Sequence, residues 1–195
     1  MTDVGTLLLT WLVVYVLPAA AALVFAFYGP VRKSSGDEWI KQSTIGIHVA
    51  LLFSIAMSQY AIHAFGLVFP WQPNTLSVVV LVSSIALATV LLGVFGLVYA
   101  LSAFVQEATM LSVAYLLFPI FPLWLVILLI MPMFSICHLL SRDGWKLRLL
   151  LVTIWGSASI LIFYLTYNIY LVIALHTALG ALLSRTVMLT WLKHR

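Results

Sequence analysis

The fold depends on the stretch "TLSVVVLVSSIALATVLLGVFGLVYALSAFVQEATMLSVAYLLFP", Thr75 to Pro119. Its only charged residue is Glu107, and it is longer than the roughly 20 apolar residues that cross a hydrocarbon core once. We predict two membrane spans here, at 76–103 and 105–118, with Gln106 and Glu107 near the start of the short second span. A single helix would reverse the sidedness of everything that follows it.

The composition excludes a soluble domain. Of the 195 residues, 65% are hydrophobic and 7% are charged, and the mean hydropathy is +1.20. We therefore predict an all-α, polytopic membrane helix bundle that forms a single transmembrane domain over residues 1–195, with its motif-bearing core at about 105–187. Long apolar runs predict about seven transmembrane helices, at 6–28, 44–68, 76–103, 105–118, 122–140, 147–166 and 168–187.

The basic residues predict the orientation of the chain. With seven spans, all nine Lys and Arg residues fall on one side of the membrane. The opposite segments Trp71–Thr75 and Pro119–Pro122 contain none. The positive-inside rule then places the N-terminus outside and the C-terminus in the cytoplasm of a multi-pass integral membrane protein. The net charge of +4 follows from these loops, so we predict no nucleic-acid partner. The single cysteine, Cys137, excludes an intrachain disulfide.

Few ionisable groups remain at membrane depth, and each needs a partner, a cavity or a function there. Glu107 is the only acidic one, and its place near the start of the fourth span puts it near the cytoplasmic side. His138 ends the fifth span at the same level, and His176 lies midway along the seventh. We predict that Glu107, His138 and His176 are catalytic and share one pocket that opens to the cytoplasm. The remaining two are His48 and His63, both on the second span.

Three stretches carry recognisable spacings, in order along the chain. They are "QEATMLSVAYLLFP", then "PLWLVILLIMPMFSICH" with Phe-x-x-x-His at its end, and "TYNIYLVIALHTALG" with Thr-x-Asn and an aromatic residue before a histidine. Over Val105 to Leu183 they resemble the CAAX protease and bacteriocin-processing family of intramembrane endopeptidases. The residues that carry the resemblance are Glu107, Phe134, His138, Thr166, Asn168, Tyr170 and His176.

The resemblance implies a peptidase chemistry. In the family, a glutamate and the second-motif histidine activate a water, while the third-motif histidine and an asparagine steady the oxyanion of the cleaved peptide bond. Substrates would be membrane-bound or prenylated peptides, and the mechanism can be written without a metal. This chain departs from the pattern, with Gln106 at the first glutamate, Leu111 at an arginine and Gly180 at the asparagine. Two hypotheses follow: a reduced but working site, or a catalytically inactive member that binds or regulates a partner in the membrane.

Two further classes compete with the peptidase. His48 and His63 lie 15 residues apart on one predicted span, a stacking that resembles a b-type haem protein with His138 and His176 as partners. A transporter would be expected to show a repeated half, which the sequence lacks. We assign no cofactor and no metal. The expected partners are the lipid bilayer and a membrane-embedded peptide or protein.

Overall fold

The computed structural model describes residues 4–28, 36–136 and 145–193, and no strand occurs among them. The first helix is continuous, with a π-helical turn at Leu12–Val16 between its two α-helical parts. The α-helices are α1 Val4–Trp11, α2 Leu17–Tyr28, α3 Gly36–Ala64, α4 Thr75–Leu92, α5 Val94–Leu117, α6 Leu123–Ile136, α7 Trp145–Thr166 and α8 Ile169–Lys193.

The helices confirm the predicted fold class. Five helical segments are long and apolar enough to cross a membrane, and they are Val4–Ala21, Gly46–Ala64, Thr75–Leu92, Val94–Leu117 and Leu149–Thr166. Two shorter apolar helices, Leu123–Ser135 and Ile169–Arg185, complete the set within the described residues. Together they occupy the seven predicted spans and fit an integral, multi-pass membrane protein.

The break between the third and fourth spans lies at Gly93, so the predicted boundary near residue 104 is wrong. Gly93 has φ 63° and ψ −146°, a conformation that essentially only glycine adopts. Its N–H donates to the Thr89 carbonyl at 2.8 Å, which ends α4. A Cβ on Gly96 would overlap the Ala88 carbonyl and lie 2.6 Å from the Thr89 nitrogen. Two glycines therefore make a sharp α4–α5 elbow, and α5 continues unbroken through Gln106.

Helix α5 is the centre of the bundle. Half of its apolar window is buried, against 17% to 28% for the other four candidate spans, and it packs against α3, α4, α6, α7 and α8. Small buried residues let neighbouring backbones approach it closely, namely Gly96, Ala100, Ala103, Ala108 and Ala114. A polar side chain in the middle of α5 is consequently surrounded by other helices rather than by lipid.

The 65–74 connection closes one end of the bundle. Trp71 Nε1–H donates to Gln59 Oε1 at 2.9 Å, and the Gln59 amide donates to Ser112 Oγ at 2.8 Å. Tyr170 donates its hydroxyl to the Trp71 carbonyl at 2.6 Å. Phe69 is buried beneath and stacks on Phe163, with ring centroids 5.6 Å apart. The polar network ties this connection to α3, α5 and α8.

Candidate functional site

Glu107 is fully buried in the middle of α5. Its relative exposure is 0%, and 13 residues separate it from the helix start at Val94, which is about 20 Å at 1.5 Å per residue. The prediction that it lies near the cytoplasmic end of its span is therefore wrong. The error follows from the misplaced helix break, because α5 starts at Val94, eleven residues before the predicted start at 105.

One carboxylate oxygen of Glu107 is bonded to three side chains from two other helices. His176 Nδ1 of α8 lies 2.6 Å from Glu107 Oε1. Trp155 Nε1–H and the Ser159 hydroxyl of α7 donate to the same oxygen at 2.9 and 3.1 Å. Trp155 and Ser159 are four residues apart and so share one face of α7. The site thus joins α5, α7 and α8 at membrane depth.

The second carboxylate oxygen of Glu107 differs from the first in its hydrogen bonding. Glu107 Oε2 is buried and has no hydrogen-bond partner among the described residues, and Thr177 Oγ1, next to His176, is in the same condition. Buried polar atoms in proteins are nearly always bonded, so each exception points to strain or to a functional role. Glu107 therefore combines one oxygen that is locked in place with one that is free to interact.

Aromatic rings enclose the His176 imidazole. The Trp155 ring lies 5.5 Å from it and the Tyr99 ring 6.1 Å from it, both edge-on. The His176 side chain retains 14% exposure. Because Nδ1 is bonded to Glu107, Nε2 is the ring nitrogen that remains for another partner.

Tyr99 and Gly180 form a contact that the sequence analysis missed. A Cβ on Gly180 would overlap the Tyr99 hydroxyl and lie 2.8 Å from Tyr99 Cε1. The tyrosine ring therefore packs directly on the α8 backbone, one turn from His176. The sequence feature that could have indicated this contact is the pair of glycines at 93 and 96. A helix break placed there puts the start of α5 before Tyr99, so that Tyr99 belongs to the same helix as Glu107.

A cavity of about 880 Å³ opens beside this tyrosine. It lies between α3, the α4–α5 elbow and α8, and Tyr99 is part of its wall. Glu107 and His176 are not among its lining residues. The expected pairing of Glu107 with His176 is present, but the described residues place Tyr99 between this pair and the cavity. His138 lies outside the described residues, so its expected place in the same pocket stays a prediction.

Gln106 and Glu107 point to different sides of α5, as successive residues of a helix do. The Gln106 amide donates to Ser102 Oγ at 3.1 Å, and Ser102 Oγ also lies 2.8 Å from His48 Nε2. Gln106 is thus directed to the α3 side, while Glu107 faces α7 and α8. Glu107 meets His176 of α8.

The histidines proposed as haem ligands have other surroundings. His48 Nε2 is bonded to Ser102 and His176 Nδ1 to Glu107, whereas His63 is exposed near the opposite end of α3. Among the side chains that the structure describes, no group of three or more His, Cys, Asp or Glu residues is arranged to hold a metal ion. No specific observation in the described residues favours the haem hypothesis.

Comparisons of the chain with protein-family models, with curated proteins and with solved structures found no match.

Proposed function

We propose that this protein is an intramembrane endopeptidase that cleaves membrane-bound peptides, with Glu107 as the general base and His176 beside it. The observation that carries the proposal is the 2.6 Å contact between Glu107 Oε1 and His176 Nδ1, with Glu107 Oε2 left unbonded. The motif resemblance adds weight because it singled out these two residues from positions that are 69 residues apart.

The arrangement suits hydrolysis of an amide bond. Water must lose a proton as its oxygen attacks the peptide carbonyl carbon, and the leaving nitrogen must gain one. Glu107 Oε2 is the atom suited to take that proton, because Oε1 is already held by Trp155, Ser159 and His176. A neutral His176 that donates from Nδ1 keeps its second ring nitrogen as an acceptor.

A donor for the oxyanion is the second requirement of the reaction. The resemblance assigns this task to an asparagine at the position of Gly180, which has no side chain to supply it. The Tyr99 hydroxyl packs on Gly180, so an O–H donor lies close to that position. We include Tyr99 in the proposed site as this donor, with His138 as the second imidazole that the motifs predict.

A catalytically inactive binding protein is the second candidate, and two observations favour it. Glu107 is completely buried and does not line the cavity, whereas a general base must reach its water. Leu111, which stands in place of the family's arginine, is fully buried in the apolar core. In this reading, the Glu107 cluster serves to hold α5, α7 and α8 together.

The test is a cleavage assay on the full chain in lipid nanodiscs, with fluorogenic membrane-anchored peptides, both prenylated and non-prenylated. The Glu107→Gln variant should lower kcat by about 100-fold or more, the usual contribution of a general base. Ser112→Ala is the matched control, because it removes another buried polar contact of the same helix. It should stay within about threefold of the wild-type rate, as a hydrogen bond remote from the chemistry contributes little to it.

The outcomes separate the two candidates. Equal loss in both variants would assign the effect to helix packing and contradict the role of Glu107. A folded wild-type protein that binds these peptides without cleaving any of them would favour the inactive binding protein.

A further inference from the structure

The cavity at the α4–α5 elbow has an apolar wall that continues onto the outer surface of the bundle. Among its lining residues, Leu52, Val98 and Leu101 are 53%, 61% and 64% exposed. They belong to segments long and apolar enough to span a membrane, where exposed aliphatic side chains face acyl chains. The opening is therefore directed at least partly toward the hydrocarbon, so an occupant can enter sideways from the bilayer.

The wall of this cavity also contains a cationic side chain, that of Arg185. Arg185 lines the cavity at the end of the apolar segment Ile169–Arg185, a position at the level of the lipid headgroups. One of its N–H groups donates to the Leu91 carbonyl at 2.8 Å, which fixes the guanidinium beside the last turn of α4. A guanidinium has five N–H donors. In the described part of the chain, the single ion pair is that of His176 with Glu107, so no described carboxylate compensates Arg185.

These two features together define the chemistry of the occupant. We propose that the cavity binds one anionic phospholipid, with an acyl chain along the wall of Leu52, Val98 and Leu101 and with its phosphate on Arg185. An acyl chain needs no hydrogen bonds, whereas an extended peptide in the same place would bring backbone groups that must be satisfied. Arginine binds phosphate oxygens through a planar fork of donors, and basic pockets between transmembrane helices commonly hold anionic headgroups.

The lipid site is separate from the proposed catalytic pair. Glu107 and His176 do not line the cavity, and Tyr99 lies between. Lipid binding is consequently expected with or without peptidase activity, and the Glu107→Gln variant should bind lipid as the wild type does.

The test is retention of lipid by the full chain, purified in detergent with equimolar phosphatidylglycerol and phosphatidylcholine and measured by native mass spectrometry. The wild type should retain phosphatidylglycerol preferentially. Arg185→Gln should weaken that retention by about fivefold, as expected for one arginine at a membrane surface. Arg148→Gln removes the same charge from a different helix, α7, and should leave retention unchanged. Val98→Trp should reduce retention by filling the space of the acyl chain.

The proposal is contradicted by equal retention of the two lipids, by an equal effect of Arg148→Gln, and by full retention in Val98→Trp. Inorganic phosphate at millimolar concentration should fail to displace the lipid, and displacement would identify a site for a free anion instead of a phospholipid.

Discussion

At the level of single residues, the main energetic difficulty is the carboxylate of Glu107, which is buried in an apolar helix bundle. A charged group at membrane depth is expensive, so such residues are rare and have partners. Glu107 meets this requirement with three donors on one oxygen. These contacts give Glu107 a structural role beside the catalytic role proposed above, and stability measurements address the structural one.

Replacement of Glu107 by alanine should destabilise the protein by about 2 to 3 kcal/mol, because it leaves the donors of Trp155, Ser159 and His176 buried without an acceptor. Glu107→Gln keeps an acceptor oxygen in place and should lose only about 1 kcal/mol. Denaturant or thermal unfolding in detergent measures both values. Equal stability of the two variants would mean that the donors find other partners.

Tyr99 and Gly180 should behave as a coupled pair. Gly180→Ala places a methyl group against the Tyr99 ring and should destabilise the protein by about 1 to 3 kcal/mol, as overpacking does. Tyr99→Leu shortens the opposing side chain, so the double variant should be more stable than the sum of the single changes predicts, by at least about 0.5 kcal/mol. Strict additivity in this cycle would contradict the packing of Tyr99 on α8.

At the scale of helices, the α4–α5 elbow determines where every α5 residue lies. The elbow requires Gly93 for its backbone conformation and Gly96 for the close approach of the Ala88 carbonyl. Because a backbone carbonyl within α4 cannot move aside without disturbing the helix, the contact at Gly96 is rigid. The depth of Glu107 therefore depends on two glycines more than ten residues away.

Gly96→Ala should consequently destabilise the protein by about 1 to 3 kcal/mol, the range for overpacking of a rigid contact. Gly156→Ala is the matched control, because the nearest atoms that a Cβ there would meet belong to side chains and not to backbone, namely the end of Met131 at 2.6 Å from Cε and Phe134 at 3.3 Å from Cδ1. Methionine repacks readily, and alanine favours a helix by about 1 kcal/mol over glycine, so this change should be close to neutral. Unfolding free energies of the two variants decide the matter, and a larger loss at Gly156 would argue against a rigid elbow.

At the scale of the whole molecule, the number of spans determines the sidedness of the chain. Seven spans put the N- and C-termini on opposite faces, with the Arg185 end of α8 on the face that carries the predicted cytoplasmic loops. The 65–74 connection then lies outside. This orientation remains a prediction from the distribution of basic residues.

Labelling with a membrane-impermeant maleimide tests the orientation. In a Cys137→Ala background, a cysteine introduced as Pro73→Cys should react in intact cells, because residue 73 is exposed in the predicted outer connection. A cysteine introduced as Arg195→Cys should react only after permeabilisation. The reverse pattern would invert the topology, and labelling of both sites in intact cells would require an even number of spans between residues 73 and 195.

The amino-acid sequence is sufficient to predict an all-α membrane protein of about seven spans and the small set of polar side chains that need partners. These properties follow from hydropathy and from the cost of burying charge, which act locally along the chain. The glycines at 93 and 96 indicate the position of the elbow. The polar pair Gln106 and Glu107, in contrast, wrongly predicts a helix end near residue 104. Within α5 these side chains are stable because other helices surround them.

The partners of those side chains are visible only in the folded bundle. Trp155, Ser159 and His176 lie 48, 52 and 69 residues from Glu107 along the chain, and no local pattern relates residues so far apart. Their meeting depends on helix rotation and depth, which are set by the packing of small residues on α5 and by the elbow. The same packing placed Tyr99 on Gly180 and Arg185 beside Leu91, two contacts that the sequence did not predict.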